Sequence, residues 1–174
     1  MKDCVIEVKE WFDGTEFHSG AHQIEIRDGR YFRISEERIS ETAEKYDFIM
    51  PSMSDAHCHL FLDGDELDAE KRKGHLDGGF DLFLATGRAN LHKYHQAGVR
   101  VIRDAGDIHG VNTCLKDTAR EMGMSIISAG KAIRKAKRYG SFMAIEVDGN
   151  GNIAEAVANV AASDLRRMFS SEFA

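Results

Sequence analysis

The chain has 174 residues, 43% of them apolar and 30% charged, with a formal net charge of −6. That length fits one domain or a domain with a small appendage, and the apolar share is enough for a real core. The acidic balance argues against nucleic-acid backbones as partners, and no apolar run approaches the ~18 residues of a membrane span. Cys4, Cys58 and Cys114 are odd in number and widely spaced, unlike a disulfide framework. The start, "MKDCVIEVKEW", carries charges where a signal peptide would be apolar, so the expected location is a reducing cytoplasm.

Residues 3–11 are rich in Val and Ile and alternate in part, which predicts a strand. "HQIEIRDGRYFRI" (22–34) predicts two short strands around a hairpin turn at Asp28-Gly29. "YDFIM" (46–50) is a further strand candidate that leads through Pro51, the chain's one proline, to His57 and His59. The expected organisation is a small N-terminal β domain over 1–47 and an α/β domain over 48–174.

Residues 63–79 are polar and Gly-rich and read as a long loop, a kind of segment that is often functional. The spacing of Leu82, Phe83, Leu84, Leu91 and Tyr94 predicts a helix over 81–98 closed by Gly98. "VRVIRDAG" (99–106) reads as a buried strand, "VNTCLKDTAREMG" (111–123) as a helix closed by glycine, and "MSIISAG" (124–130) as a second buried strand. The basic run "KAIRKAKRYG" (131–140) reads as a solvated loop or an anion-contacting segment, followed by "FMAIEV" and a third, Ala-rich helix over 153–162. Strand and helix in alternation predict parallel βα units, with any ligand at the carboxyl ends of the strands.

In a strand, residues two apart share a side, so His57 and His59 would project together while Cys58 points away. Two imidazoles on one rigid segment can chelate a divalent cation of the zinc kind. On spacing alone a lone His-x-His is a weak motif, and the reading it favours is two hydrogen-bonded structural histidines. Asp104 and Asp107 follow a predicted strand at the expected edge, where an aspartate serves as a helix cap or a partner to Arg103 more often than as a ligand. His92 and His95 share a face of the first helix beside Leu91 and Tyr94, which suggests packing and solvent exposure. His109 falls in a loop, and Cys58 reads as a small core residue. "DGDELDAE" (63–70) and "DGNGNI" (148–153) fail as EF-hand loops, having Asp68 and Ile153 where the sixth-position glycine belongs.

"IMPSMSDAHCHL" resembles the "PG-hydrophobic-hydrophobic-D-x-H-x-H" segment of the metal-dependent amidohydrolase superfamily, with Pro51, Asp55, His57, His59 and Leu60 matching. Ser52 stands where that family has glycine, and Ser54 replaces an apolar residue. "WFDGTEF" and "IEIRDGRYFRIS" are similar to its N-terminal strands, "HQAGVRVIRDAGD" (95–107) to its second barrel strand, and "GMSIISAGKAI" (123–133) to its third. The branch most resembled is the imidazolonepropionase-like and dipeptidase-like one.

This resemblance implies a small β-sandwich-like N-terminal unit followed by a TIM-type (β/α) barrel. It implies His57 and His59 as ligands of a divalent metal ion, zinc first, with iron or manganese as alternatives. The implied chemistry is hydrolysis of C–N bonds in amides, cyclic amides or peptide-like molecules. The family's site also draws on later strands: often a carboxylated lysine from the fourth, histidines from the fifth and sixth, and an aspartate from the eighth. A whole barrel takes about 250 residues, and 127 follow from position 48 onward. "ASDLRR" (162–167) puts Arg167 at the lysine position, and an arginine stays protonated. The expectation is therefore a truncated N-terminal portion with about three βα units. The alternative is an inactive relic, or an assembly module that forms a homo-oligomer through its open barrel edge.

Overall fold

The computed structural model describes residues 3–147 and Ala158. The chain divides into two compact units, Met1–Pro51 and Ser52–Ala174.

In the first unit, β1 (Cys4–Phe12), β2 (Phe17–Arg27), β3 (Arg30–Ser35) and β4 (Glu44–Ile49) form one sheet in the order β3-β2-β1-β4. The unit expected to be sandwich-like is thus a single four-stranded sheet among the described residues. β2 and β3 are joined by Asp28-Gly29, with φ of 50° and 74°. Positive φ at both central residues is the geometry that a two-residue hairpin demands, and this pair of residues adopts it at low cost. β1 pairs antiparallel with β2 and parallel with β4. A register shift between Val8 and Glu10 moves burial from the even positions Ile6 and Val8 to the odd position Trp11. Together with Ile24 these side chains make the unit's core. The amide of Gln23, nearly buried, accepts the N–H groups of Ile39 and Ser40 at 2.7 and 2.8 Å and so pins the crossover into β4.

The second unit is α/β. β5 (Met53–Cys58), α1 (Ala69–Leu76), α2 (Gly79–Gln96), β6 (Val99–Asp104), α3 (Val111–Cys114), α4 (Lys116–Glu121), β7 (Ser125–Ser128), β8 (Ala132–Lys135) and β9 (Ala144–Val147) follow in chain order. β5, β6 and β7 form a parallel three-stranded sheet in that order, and β8 pairs parallel with β9. The core between this sheet and its helices holds Phe61, Phe83, Leu91, Ile102, Val111 and Leu115, each essentially without solvent contact.

α2 buries Phe83, Gly87 and Leu91, one residue per turn along a single face. A Cβ at Gly87 would lie 2.6 Å from Leu115 Cδ1, so this glycine permits the close approach of α2 to the α3–α4 segment. The turn after α2 places Gly98 at φ 83°, the left-handed position expected of it.

Three local expectations are modified. The polar stretch 63–79 contains α1, whose Asp68 side chain accepts the Lys71 N–H as a cap. No residue of α1 is buried, so it carries no apolar period to read. The helix expected over 111–123 is interrupted at Leu115. The basic run after β7 contributes β8, where Arg134 pairs with Glu146 of β9. The helix expected over 153–162 and the Arg167 position lie outside the described residues, apart from Ala158, which is helical.

Candidate metal site

His57 and His59 stand at the carboxyl end of β5, the end where parallel sheets present their ligand groups. Their ring centroids are 5.4 Å apart and nearly perpendicular. Two imidazoles on one tetrahedral zinc, with Zn–N near 2.0–2.1 Å, have centroids separated by about 5 Å. Simple strand alternation is not what brings these rings together. The β5–β6 register slips between Asp55 and Cys58, and His59 lies one residue beyond the strand.

Three groups shape this segment. Asp55 Oδ1 accepts the His57 N–H at 2.9 Å, and its Oδ2 accepts the Tyr94 hydroxyl of α2 at 2.6 Å. The Tyr94 hydrogen bond first, then the His57 N–H, hold the Asp55 carboxyl below its ordinary range. Burial, and after it the Asp55 bond, push the Tyr94 hydroxyl up, so it remains a donor. On the far side of the pair, His59 Nδ1 lies 3.0 Å from the Gly106 carbonyl oxygen. A carbonyl can only accept, so Nδ1 carries the proton and Nε2 of the neutral ring is left with its lone pair. This arrangement orients metal-ligating histidines in general.

Asp104, fully buried at the end of β6, joins these parts. Its Oδ2 accepts the Leu60 N–H at 2.9 Å, and its Oδ1 accepts the Gly106 N–H at 2.8 Å and Asn112 Nδ2 at 3.0 Å. The residue after His59 and the residue whose carbonyl holds His59 are therefore fixed to one carboxylate. Asp107, also buried, accepts the N–H groups of His109, Gly110 and Val111 through Oδ1 and that of Asn112 through Oδ2. It caps the entry to α3. Both carboxylates are committed to backbone and amide donors and turn away from the role of ligand.

The remaining candidates fall elsewhere. His92 and His95 lie on α2, and neither belongs to the pair. His109 packs against Phe61 and Phe83, and its Nε2 reaches the Phe142 carbonyl at 3.2 Å. Cys58 faces Tyr94, and its thiol is pushed up to about 12, by burial first and then by the Asp104 carboxylate. A cavity of about 420 Å³ runs between α2 and the 60–64 segment, lined among others by Cys58, His59, Asn90, Lys93 and Tyr94. His57 is not part of its lining, so cavity and pair share His59 alone.

Among the described residues, no group of three or more His, Cys, Asp or Glu side chains gathers so that it could hold a metal ion. A catalytic zinc takes three protein ligands and a water. Two imidazoles are fewer than the protein ligands such a centre takes. Sequence reading missed Gly106 and Tyr94 as partners of this segment. Neither carries a local signal, since one is a backbone carbonyl 47 residues away and the other a helix residue 39 residues from Asp55.

No helix among the described residues is long and apolar enough to cross a membrane. The sequence matches no protein-family model and no curated protein. Solved structures do match. A Xaa-Pro dipeptidase with methionine bound in its active site is 18% identical, with a TM-score of 0.62 over 92% of this chain and 44% of its own. An amidohydrolase is 17% identical, with a TM-score of 0.65 over 92% and 45%. The ochratoxinase of A. niger is 18% identical, with a TM-score of 0.59 over 96% and 45%. This chain spans less than half the length of each, and over that span it shares their fold.

Proposed function

We propose that the chain carries the first-strand share of a metal-dependent hydrolase of amide, cyclic amide or peptide-like C–N bonds. In this reading Ser52–Ala174 forms the opening part of a TIM-type barrel, and His57 and His59 supply two ligands to one divalent cation, zinc first, with iron or manganese as alternatives. The observation that carries it is the orientation of His59. Its Nδ1–H is occupied by the Gly106 carbonyl, and its ring stands 5.4 Å from that of His57. The fold match to a Xaa-Pro dipeptidase and an amidohydrolase supports the substrate class.

When bound, such a cation polarises the scissile carbonyl and acidifies water. The chain's own contribution is placement. The end of β5 carries His57 and the next turn His59, Asp104 holds the backbone after His59, and Gly106 fixes the tautomer. Further ligands and the general base belong to the later strands of the complete barrel.

The test is a calorimetric zinc titration of the purified chain, followed by hydrolysis of a panel of amides and Xaa-Pro dipeptides. One cation per chain is expected, lost in the His57→Ala/His59→Ala variant, with any hydrolysis requiring that cation. Equal zinc uptake by wild type and variant overturns the reading.

A second observation bears on partners. Met53 on β5 and Val101 on β6 are 43% and 37% exposed, and β5 and β7 are the edges of their sheet among the described residues. Apolar side chains on an open sheet are covered when neighbouring strands complete it, which favours self-association. Light scattering is expected to show a discrete homo-oligomer, and a monomer would remove this part. The free thiols of Cys4, Cys58 and Cys114 support a reducing, cytoplasmic setting.

A further inference from the structure

Tyr94 lies on α2, outside the histidine segment in sequence and outside the group that would touch a cation. Its hydroxyl nevertheless donates to Asp55 Oδ2 at 2.6 Å, while the other oxygen of the same carboxylate holds the His57 N–H at 2.9 Å. These bonds fall where β5 leaves regular pairing with β6, between Asp55 and Cys58. A strand that breaks register there needs another source of order. The His57 side chain is exposed and no hydrogen bond to its ring is made by the described residues that pack near it, whereas the His59 ring is held by Gly106. The position of His57 thus depends on its backbone, and its backbone on Asp55.

We infer that Tyr94 is a positioning residue: by anchoring Asp55 it fixes the irregular end of β5 and sets the aim of His57 at the site His59 faces. The inference rests on the reading of His57 and His59 as a cation-binding pair, and adds the helix residue on which their mutual geometry depends. The tyrosine ring itself packs against the core from α2, so Tyr94→Phe removes the hydroxyl and keeps the packing. A bare phenyl leaves one Asp55 oxygen without its donor and free to turn from the His57 amide.

The experiment compares wild type, Tyr94→Phe and Asp55→Ala by two readouts. The first needs no metal: amide hydrogen exchange of His57, with Ile102 in β6 as the internal control for the fold. Exchange at His57 is expected to rise by roughly tenfold or more in both variants while Ile102 is unchanged. The second is the zinc isotherm, where affinity is expected to fall by about 10-fold to 100-fold, the usual loss when the support of a ligand is removed. Unchanged His57 exchange in Tyr94→Phe overturns the inference, whatever the isotherm gives. A wild type that takes up no zinc, with faster His57 exchange in the variants, overturns the cation reading and leaves the positioning role of Tyr94 standing.

Discussion

Replacing Asp104 should cost more than any other change of one polar side chain near the pair. The carboxylate has no solvent contact and accepts three hydrogen bonds at 2.8–3.0 Å, from Leu60 N, Gly106 N and Asn112 Nδ2. A hydrogen bond to a charged acceptor contributes about 1.5–3 kcal/mol, and each buried donor left alone costs about 1–3 kcal/mol. The three share one acceptor and are not additive, so Asp104→Ala is expected to lose about 4 kcal/mol. Asp104→Asn keeps one oxygen, able to serve Gly106 and Asn112, but turns an amide N–H toward the Leu60 N–H. Its expected loss is about 2–3 kcal/mol.

The assay is urea unfolding followed by circular dichroism at 222 nm. The sole tryptophan, Trp11, lies in the first unit, whereas the described helices all lie in the second. With a urea slope of about 2 kcal/mol/M, Asp104→Ala should lower the midpoint by about 2 M. A fall below about 0.5 M with an unchanged slope would show that Asp104 does not hold these segments together, and the account of how His59 is fixed would fail.

Gly106→Ala places a Cβ 2.7 Å from Ala132 N at a residue with φ 109°. A loss of about 2 kcal/mol is expected in the same urea assay, and wild-type stability would contradict the close approach. Cys58 should resist thiol reagents at pH 8, because its thiol is pushed up to about 12, by burial first and then by Asp104, whereas Cys4 and Cys114 are exposed. Two thiols per chain should react fast and one at least about tenfold more slowly; three equal rates would refute this. The Asp13 carboxyl is held down to about 2 by the Glu16 N–H first, then by His18 and the Thr15 N–H. Its folded value lies below the unfolded value of about 3.9, so its support of the β1–β2 turn is present above about pH 4 and is lost as pH falls through about 2. Carboxyl NMR should place its midpoint near 2; a midpoint near 3.9 would contradict the bonding.

Local chemistry made much of this fold readable. Asp28-Gly29 could only be a tight hairpin, and Gly98 closes α2 because the chain needs a left-handed residue there. The β-branched runs at 99–104 and 125–128 are parallel strands that bury Val99, Ile102 and Ile126 while Val101 stays exposed, so they are less fully buried than the sequence suggests. α1 stayed hidden because none of its eight residues is fully buried and only His75 and Leu76 at its end reach the core, too few to leave an apolar period. β8 stayed hidden because a run of lysine and arginine reads as loop, although Arg134 is paired across to Glu146. At the site, the residue types at 57 and 59 were visible but the supports were not. Gly106 acts through a carbonyl, which every residue has, and Tyr94 through a hydroxyl brought back by the fold of α2 onto β5. Long-range partners of this kind leave no periodic trace.

The central claim, that one divalent cation takes its first two ligands from His57 and His59, is tested most directly by zinc X-ray absorption of the loaded protein. The account predicts the multiple-scattering signature of two imidazoles at Zn–N of about 2.0–2.1 Å, falling to one imidazole in His59→Ala. A zinc shell with no imidazole, or one that is identical in wild type and His59→Ala, would contradict it.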